Sequence, residues 1–296
     1  MKTLRVKFFC RSFNKELYLL SRRLYEEAGY PCVRLTDQTA DGYFFRMLED
    51  ETCDIAINVD EDCFLTDLDA VLALAKKVAD EGWVNAGCSD AGEGCPRSGD
   101  AVVTNPFFNV FNLRLIRKAW NAYRLIPELR KDSYKGLEPY YNFFHWMVRT
   151  FPGKTLYLDN RKHSDGVTTM LYDAASLSTP LPCGGAGERL SGEGLSGEAP
   201  RLLCQHTWFA RQFSPSFLTR LFEGNDLKGV NHQQRINAVI DESYQIASQL
   251  HPVRRPEFNA LQRLDFRLDA CQRWCVKIPQ RIANWPNKLR RRFSGR

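Results

Sequence analysis

Three consecutive carboxylates, Asp60-Glu61-Asp62, are the residues of this chain best suited by type and spacing to do chemistry. Carboxylates held about 4 Å apart repel by roughly 1 kcal/mol in water and several-fold more when partly desolvated, and a cation relieves that cost. Hard oxygen ligands in this arrangement suit Mg²⁺ or Mn²⁺, which keep several waters and share a substrate's phosphates. The residues on either side say where the acids sit. Ile55, Ile57 and Val59, interrupted only by small residues and Asn58, have the pattern of a buried central strand. Thr66 with Asp69 three positions on predicts a capping box for a helix carrying Leu68, Val71, Leu72, Ala75 and Val78. The acids therefore stand at the carboxyl end of a strand, where open α/β sheets bind ligands. The plainer reading is a solvated strand end with an acidic surplus ahead of a helix.

The neighbouring segments alternate strand and helix. Residues 4–10 suit a first strand, and Asn14 can cap a helix with Leu17, Leu20, Leu24 and Ala28 at helical spacing, closed by Gly29. Residues 31–36 read as a second strand ending at Asp37, residues 43–48 as a short helix, and residues 82–88 as a strand beyond the capped helix. That order predicts an α/β fold with a doubly wound, mostly parallel central sheet. Residues 87–100 are glycine-rich but lack the Gly-Lys-Ser/Thr of a phosphate-binding loop. A strand over 101–112 carries Asn105, Asn109 and Asn112, which either face hydroxyls or satisfy strand ends. A helix over 113–123 follows, then an aromatic helix with Glu138 at its start and Pro139 in its first turn. Short extended pieces at 155–158 and 166–171 precede residues 181–200, where six glycines predict a mobile loop, either a linker or a lid. His206 lies just beyond it, after a short apolar strand.

An acidic triplet after a hydrophobic strand resembles the DxD motif of GT-A-fold glycosyltransferases, which use nucleotide-sugar donors. The resemblance covers roughly residues 4–212 in element order, with the triplet as its one true motif. It implies a metal-dependent transferase in which Asp62 and Asp60 hold Mn²⁺ or Mg²⁺ and His206 completes the shell. Asp60 and Glu61, with Arg11 after the first strand and Asp37 after the second, would bind the nucleotide sugar. Glu138 would be the general base if the reaction inverts, although Glu-Pro stands here where many family members have Glu-Asp. Each residue also has a simpler role: Asp37 as a turn residue, Arg11 in a surface ion pair, Glu138 as an acid favoured by the helix dipole, and His206 as a packed side chain beside Trp208. His163 and His145 are weaker ligand candidates.

Composition narrows the partners. Residues 257–296 carry ten Lys/Arg and three Asp/Glu (+7), leaving 31 Lys/Arg against 32 Asp/Glu (−1) in residues 1–256. The basic character thus belongs to the tail, and with no recognition motif and no basic body, nucleic acid is excluded as the expected partner. From Phe258 the apolar positions Leu261, Leu264, Leu268, Cys271, Cys275 and Ile278 step by three and four. Past Pro279, Ile282, Trp285, Leu289 and Phe293 sit among Arg281, Lys288 and Arg290–Arg292, the pattern of an interfacial anchor on an anionic membrane through 279–296. Residues 1–230 are the expected catalytic domain and 231–296 a helical, basic extension. No signal-peptide pattern opens the chain and no apolar run could span a bilayer, so a cytoplasmic protein peripheral to the inner face of the membrane is expected. The ten cysteines are not spaced as zinc knuckles and read as free thiols.

By analogy, such an enzyme would extend a glycan or lipid-linked saccharide acceptor of lipopolysaccharide or capsule type. Two rivals stand beside it. A haloacid-dehalogenase-type phosphatase wants Asp-x-Asp-x-Thr on its first strand, whereas the fifth residue here is Phe64 and the strand is the third. A non-enzymatic membrane-binding adaptor would make the carboxylates incidental.

Overall fold

The structure is a computed structural model that describes residues 4–26, 29–36, 42–91, 100–123, 141–175, 199–208, 210–213 and 230–272. Asp37, Glu138, most of the 181–200 loop and the 279–296 tail lie outside the described residues.

The described chain runs β1 (Val6–Arg11), α1 (Lys15–Glu26), β2 (Cys32–Leu35), α2 (Gly42–Glu49), β3 (Ile55–Asp60), β4 (Cys63–Leu65), α3 (Leu68–Asp80), β5 (Asn85–Ser89) and β6 (Thr104–Asn112). It continues through α4 (Leu113–Tyr123), α5 (Tyr141–Thr150), β7 (Thr155–Lys162), β8 (Thr169–Ala175), β9 (Leu202–His206), a 3₁₀ turn (Ala210–Phe213) and α6 (His232–Leu250). A last helix, α7, spans 260–272. The strands form one mixed sheet of nine in the order β2-β1-β3-β6-β5-β7-β8-β9-β4.

Six strands (β1, β2, β3, β5, β7, β9) run one way and β4, β6 and β8 the other. The expected parallel order therefore holds in direction for β1–β3, but β6 is inserted antiparallel between β3 and β5. Strands consecutive in the chain that lie side by side with no crossover helix between them pair antiparallel, and the glycine-rich stretch linking β5 to β6 shows no helical period. Close approach of these two strands requires glycine at position 87. A Cβ there would come within 2.6 Å of Asn109 Oδ1 and 3.0 Å of the Phe108 carbonyl.

Every residue of β3 is buried, as expected of a strand covered on both faces. Ile55, Ile57 and Val59 pack with Leu17, Leu20 and Leu24 of α1, Val71 and Leu74 of α3 and Ile236 and Ile240 of α6. Ala56 and Phe111 turn to the opposite layer, against Phe44 and Met47 of α2, Ile116 of α4 and Phe143, Phe144 and Met147 of α5. The α6 segment therefore contributes to the same core as the N-terminal helices, and Tyr244 donates a buried hydrogen bond to the Leu20 carbonyl at 2.6 Å.

The cap of α3 differs from the expected one. Asp67 is the N-cap and accepts from Ala70 N at 2.9 Å. Thr66 is drawn into pairing with β9: its N–H reaches the Leu203 carbonyl at 3.0 Å and its hydroxyl the Leu202 carbonyl at 2.5 Å. The three-residue strand β4 went unread because it follows the acids at once and is too short to show a period of two. The asparagines of β6 serve the fold. Asn109 accepts from Thr104 and donates to the Asn105 carbonyl (both 2.7 Å), and Asn112 accepts from Leu115 N at the start of α4. Among the described residues, the thiols of Cys10, Cys53, Cys63 and Cys204 are buried and outside any disulfide.

Candidate metal centre

Only Glu61 and Asp62 separate the last residue of β3 from the first of β4, yet β4 lies at the far edge of the strand order. The chain must turn sharply through its acidic triplet, and that turn brings β9 to it. Cys63 pairs with His206, so the histidine stands across from the residue next to Asp62. Thr207 N–H then donates to the Asp62 carbonyl at 2.9 Å and closes the junction.

The outcome is a cluster in which ligand atoms of Asp60, Asp62 and His206, all buried, lie within 4.8 Å of one another. His206 Nε2 is 3.2 Å from Asp62 Oδ1. The imidazole has two aromatic neighbours roughly at right angles to each other: the Phe107 ring stacks on one face at 4.3 Å with 8° between planes, and the Trp208 ring, tilted by 60°, meets it at 4.4 Å. Trp208 itself adopts φ of 54°, a left-handed conformation that a bulky residue takes only under constraint. The constraint is visible: its indole N–H donates to Thr169 Oγ1 at 2.7 Å and its carbonyl accepts from Arg235 at 3.0 Å.

The carboxylates differ in how they are satisfied. Arg11 donates to Asp60 Oδ2 at 3.1 Å, while Asp60 Oδ1 and His206 Nδ1 are buried with no hydrogen-bond partner among the described residues. Leaving a buried polar atom unpaired costs about 1–3 kcal/mol. Burial, with Asp62 adding to it and Arg11 opposing, raises the Asp60 pKa. Burial pushes Asp62 the same way, but the His206 ring and, more weakly, Arg11 outweigh it and lower its pKa. Two like acids a few ångströms apart thus sit in opposite states of ease, one welcoming its charge and one resisting it. A divalent cation fits this set: it would satisfy the orphaned Asp60 oxygen and cancel the repulsion that strains Asp60, with His206 presenting a ring nitrogen, Nε2, beside Asp62. An imidazole beside two carboxylates suits Mn²⁺ better than the strictly oxygen-seeking Mg²⁺.

Glu61 is placed differently. Its Oε2 accepts from both Phe13 N and Asn14 N at 2.6 Å, and Asn14 caps α1 through Oδ1 contacts to Glu16 N and Leu17 N at 3.0 and 3.2 Å. The carboxylate expected to touch a nucleotide sugar is thus bonded to the β1 loop, and it fixes Arg11 beside Asp60. Burial, eased by those N–H groups, pushes its pKa to about 7. His163 pairs with Glu242 at 3.0 Å and His145 with Asp100 at 2.9 Å, both away from the triplet.

The packing of Trp208 on His206 is the one expected from their closeness in the sequence, whereas the stacked Phe107 was not legible, because it looks like an ordinary strand aromatic until β9 is brought to β6's end of the sheet. Asp90, almost fully buried at the end of β5 and bonded by the Asn105 side-chain amide, was also passed over. It stands at the same end of the sheet as Asp60, since β3 and β5 run in one direction.

No protein-family model and no curated protein matches the chain. Solved structures overlap it in part. A glycosyltransferase involved in the glycosylation of the major capsid of PBCV-1 is 11% identical, with 52% of this chain and 81% of that one covered and a TM-score of 0.38. A197 from STIV is 15% identical over 63% of this chain and 98% of its own, with a TM-score of 0.35. The glycosyltransferase GlyE of Streptococcus pneumoniae TIGR4 is 14% identical over 53% and 46%, with a TM-score of 0.36. Likenesses this distant leave the function to be read from the cluster itself.

Proposed function

We propose that the protein is a metal-dependent glycosyltransferase that moves a sugar from a nucleotide-diphosphate donor to a hydroxyl of a glycan or lipid-linked saccharide. The observation that carries this reading is the convergence of Asp60, Asp62 and His206 at a strand's carboxyl end, with a buried carboxylate oxygen of Asp60 unpartnered. Asp60, Asp62 and His206 would hold Mn²⁺, which when bound supplies Lewis-acid stabilisation to a departing diphosphate. Arg11, one hydrogen bond from Asp60, adds a guanidinium fork that matches phosphate oxygens. Glu61 keeps Arg11 and the start of α1 in register with the acids. The sugar's anomeric carbon loses its bond to the diphosphate oxygen and gains one to the acceptor oxygen, whose proton passes to a base; the resemblance gives that role to Glu138. Synthesis of bacterial surface polysaccharide is the setting that suits such an activity.

The phosphatase reading fares worse. Its motif needs a hydroxyl at the position of Phe64, which is a fully buried hydrophobic residue of β4.

Thermal unfolding in the presence of UDP-, GDP-, CMP- and dTDP-sugars, with and without Mn²⁺, tests the proposal. A ligand at 100 times its dissociation constant stabilises the native state by about 2.7 kcal/mol, or roughly 5 °C for a chain of this size. At least one of the three diphosphate donors should give a shift that requires the metal; a flat response across all four, or a response to the monophosphate CMP-sugar alone, overturns the reading.

A further inference from the structure

The helix α7 is attached to the body by its polar side. Phe266 is its one buried residue and packs edge-on against Phe258 with ring centroids 4.9 Å apart. Two ion pairs flank that contact: Asp265 with Lys15 at 2.7 Å and Asp269 with Arg34 at 3.7 Å. At about 100° per residue, Leu261, Leu264, Leu268 and Cys271 fall between about 140° and 220° around the axis from Phe266. They line the side facing away from the protein. Exposure agrees: Leu261, Leu264 and Leu268 are 76%, 52% and 54% exposed, three of the four large apolar side chains in the open among the described residues. A helix whose leucines were meant for its own core would be turned over. Here Asp265 and Asp269 hold it the other way up.

We infer that this leucine face is a docking surface for an anionic lipid bilayer, with α7 lying in the plane of the interface. Charge selects that occupant. Arg263 and Arg267 are exposed on the same helix, and the chain beyond it, residues 273–296, contains eight Lys/Arg, no Asp/Glu, and Trp274, Trp285 and Phe293. Leucines with Arg263 and Arg267 along one flank, with Asp265 and Asp269 on the other paired to Lys15 and Arg34, and with cations and aromatic residues next in the sequence, match the acyl boundary below and the anionic headgroups around it. A second copy of the chain is disfavoured, because apposing two such faces would bring together two segments that each carry ten Lys/Arg against three Asp/Glu. Among the described residues no helix is long and apolar enough to cross a membrane, so the contact is one of surface. It uses no residue of the metal centre, and its test is separate.

The full chain should co-sediment with vesicles of equal parts phosphatidylglycerol and phosphatidylcholine, more weakly with phosphatidylcholine alone, and progressively less as salt is raised. The triple change Leu261→Ser, Leu264→Ser, Leu268→Ser alters only exposed positions. It should leave the unfolding midpoint in place and weaken binding to the anionic vesicles about tenfold or more. A second variant, Arg263→Gln with Arg267→Gln, should weaken it by about threefold to tenfold and flatten the salt dependence. Unchanged vesicle binding by the leucine variant overturns the inference, as does equal binding of the wild type to both vesicle types. A monomer–dimer equilibrium seen by sedimentation without lipid, and abolished by the same three serines, would give the face to a second copy instead.

Discussion

Two Asp–His pairs in this protein are built from the same residue types to opposite ends. Near the turn that starts β8, Asp165 accepts from Val167 N (2.9 Å), Thr168 N (2.7 Å), the Thr168 hydroxyl (2.6 Å) and Arg235 (3.2 Å), and its neighbour His163 bonds to Glu242 at 3.0 Å. Its pKa is held at about 2: burial pushes upward, but Thr168, Val167 and Arg235 outweigh it. At the end of β3, Asp60 has one arginine, an orphaned oxygen and a raised pKa, beside a histidine with an orphaned nitrogen. The first pair is finished and holds α6 to the sheet. The second is unfinished, and what it lacks is positive charge at one point. Burial and an Asp–His contact do not distinguish a strut from a site; unspent ligand capacity does.

The sharpest test exchanges the two pairs. Asp62→Ala should reduce metal-dependent donor turnover by about 10³-fold, close to 4 kcal/mol of barrier, at a smaller cost in metal-free stability than the strut shows, since relief of the repulsion with Asp60 offsets part of the lost contact with His206. Asp165→Ala should do the reverse: about 3 kcal/mol less stability, because Arg235 loses its buried partner, while the surviving folded fraction keeps its turnover. Chemical denaturation and initial rates measured on both variants decide. If Asp62→Ala lost stability as Asp165→Ala does, and kept its turnover, the proposed difference between strut and site would vanish.

A smaller effect follows from the histidines. Saturating Mn²⁺ alone should raise the unfolding midpoint of the wild type by a few degrees, corresponding to about 2–3 kcal/mol. His206→Ala should remove most of that gain, and His163→Ala should leave it intact. Equal metal stabilisation in the two variants would mean that His206 is a packing residue in contact with Phe107 and Trp208.

The acids were legible in the sequence because everything that defines them is local. An apolar run, an abrupt acidic stop and a helix within ten residues fix a strand end without reference to the rest of the chain. The β1-α1-β2 order was readable for the same reason. The antiparallel insertion of β6 and the pairing of β4 with β9 were not, since both are decided by contacts between segments distant in the chain, β6 with β3 across the whole of α3 and β5, and Cys63 with His206 across most of the domain. Glu61 shows the same limit within the motif. From sequence it is one acid of three, and only the approach of Phe13 and Asn14 N–H groups turns it into a brace for the β1 loop. Thr66 lost its expected capping role to Asp67 through a long-range contact as well, with the Leu202 carbonyl.

The smallest expected effect is one of pH, and it isolates the finished pair. Asp165 has a folded-state pKa of about 2 against an ordinary 3.8. A carboxylate depressed in this way adds stability that is complete above its unfolded pKa and is lost as pH falls through the folded value. The loss therefore falls between about pH 4 and pH 2, and its size is about 1 kcal/mol once the water reaching this turn is allowed for. Asp165→Asn abolishes the ionisation and keeps most of the side chain's shape, so the variant should be less stable than the wild type at neutral pH, with the difference shrinking across that window. The metal-free protein is the one to measure, so that nothing at the β3 rim titrates against a bound cation. Parallel stability curves for wild type and variant from neutrality to pH 2 would show that the hydrogen bonds around Asp165 do not favour its charged form. The contrast with Asp60 would then rest on the unpaired atoms alone.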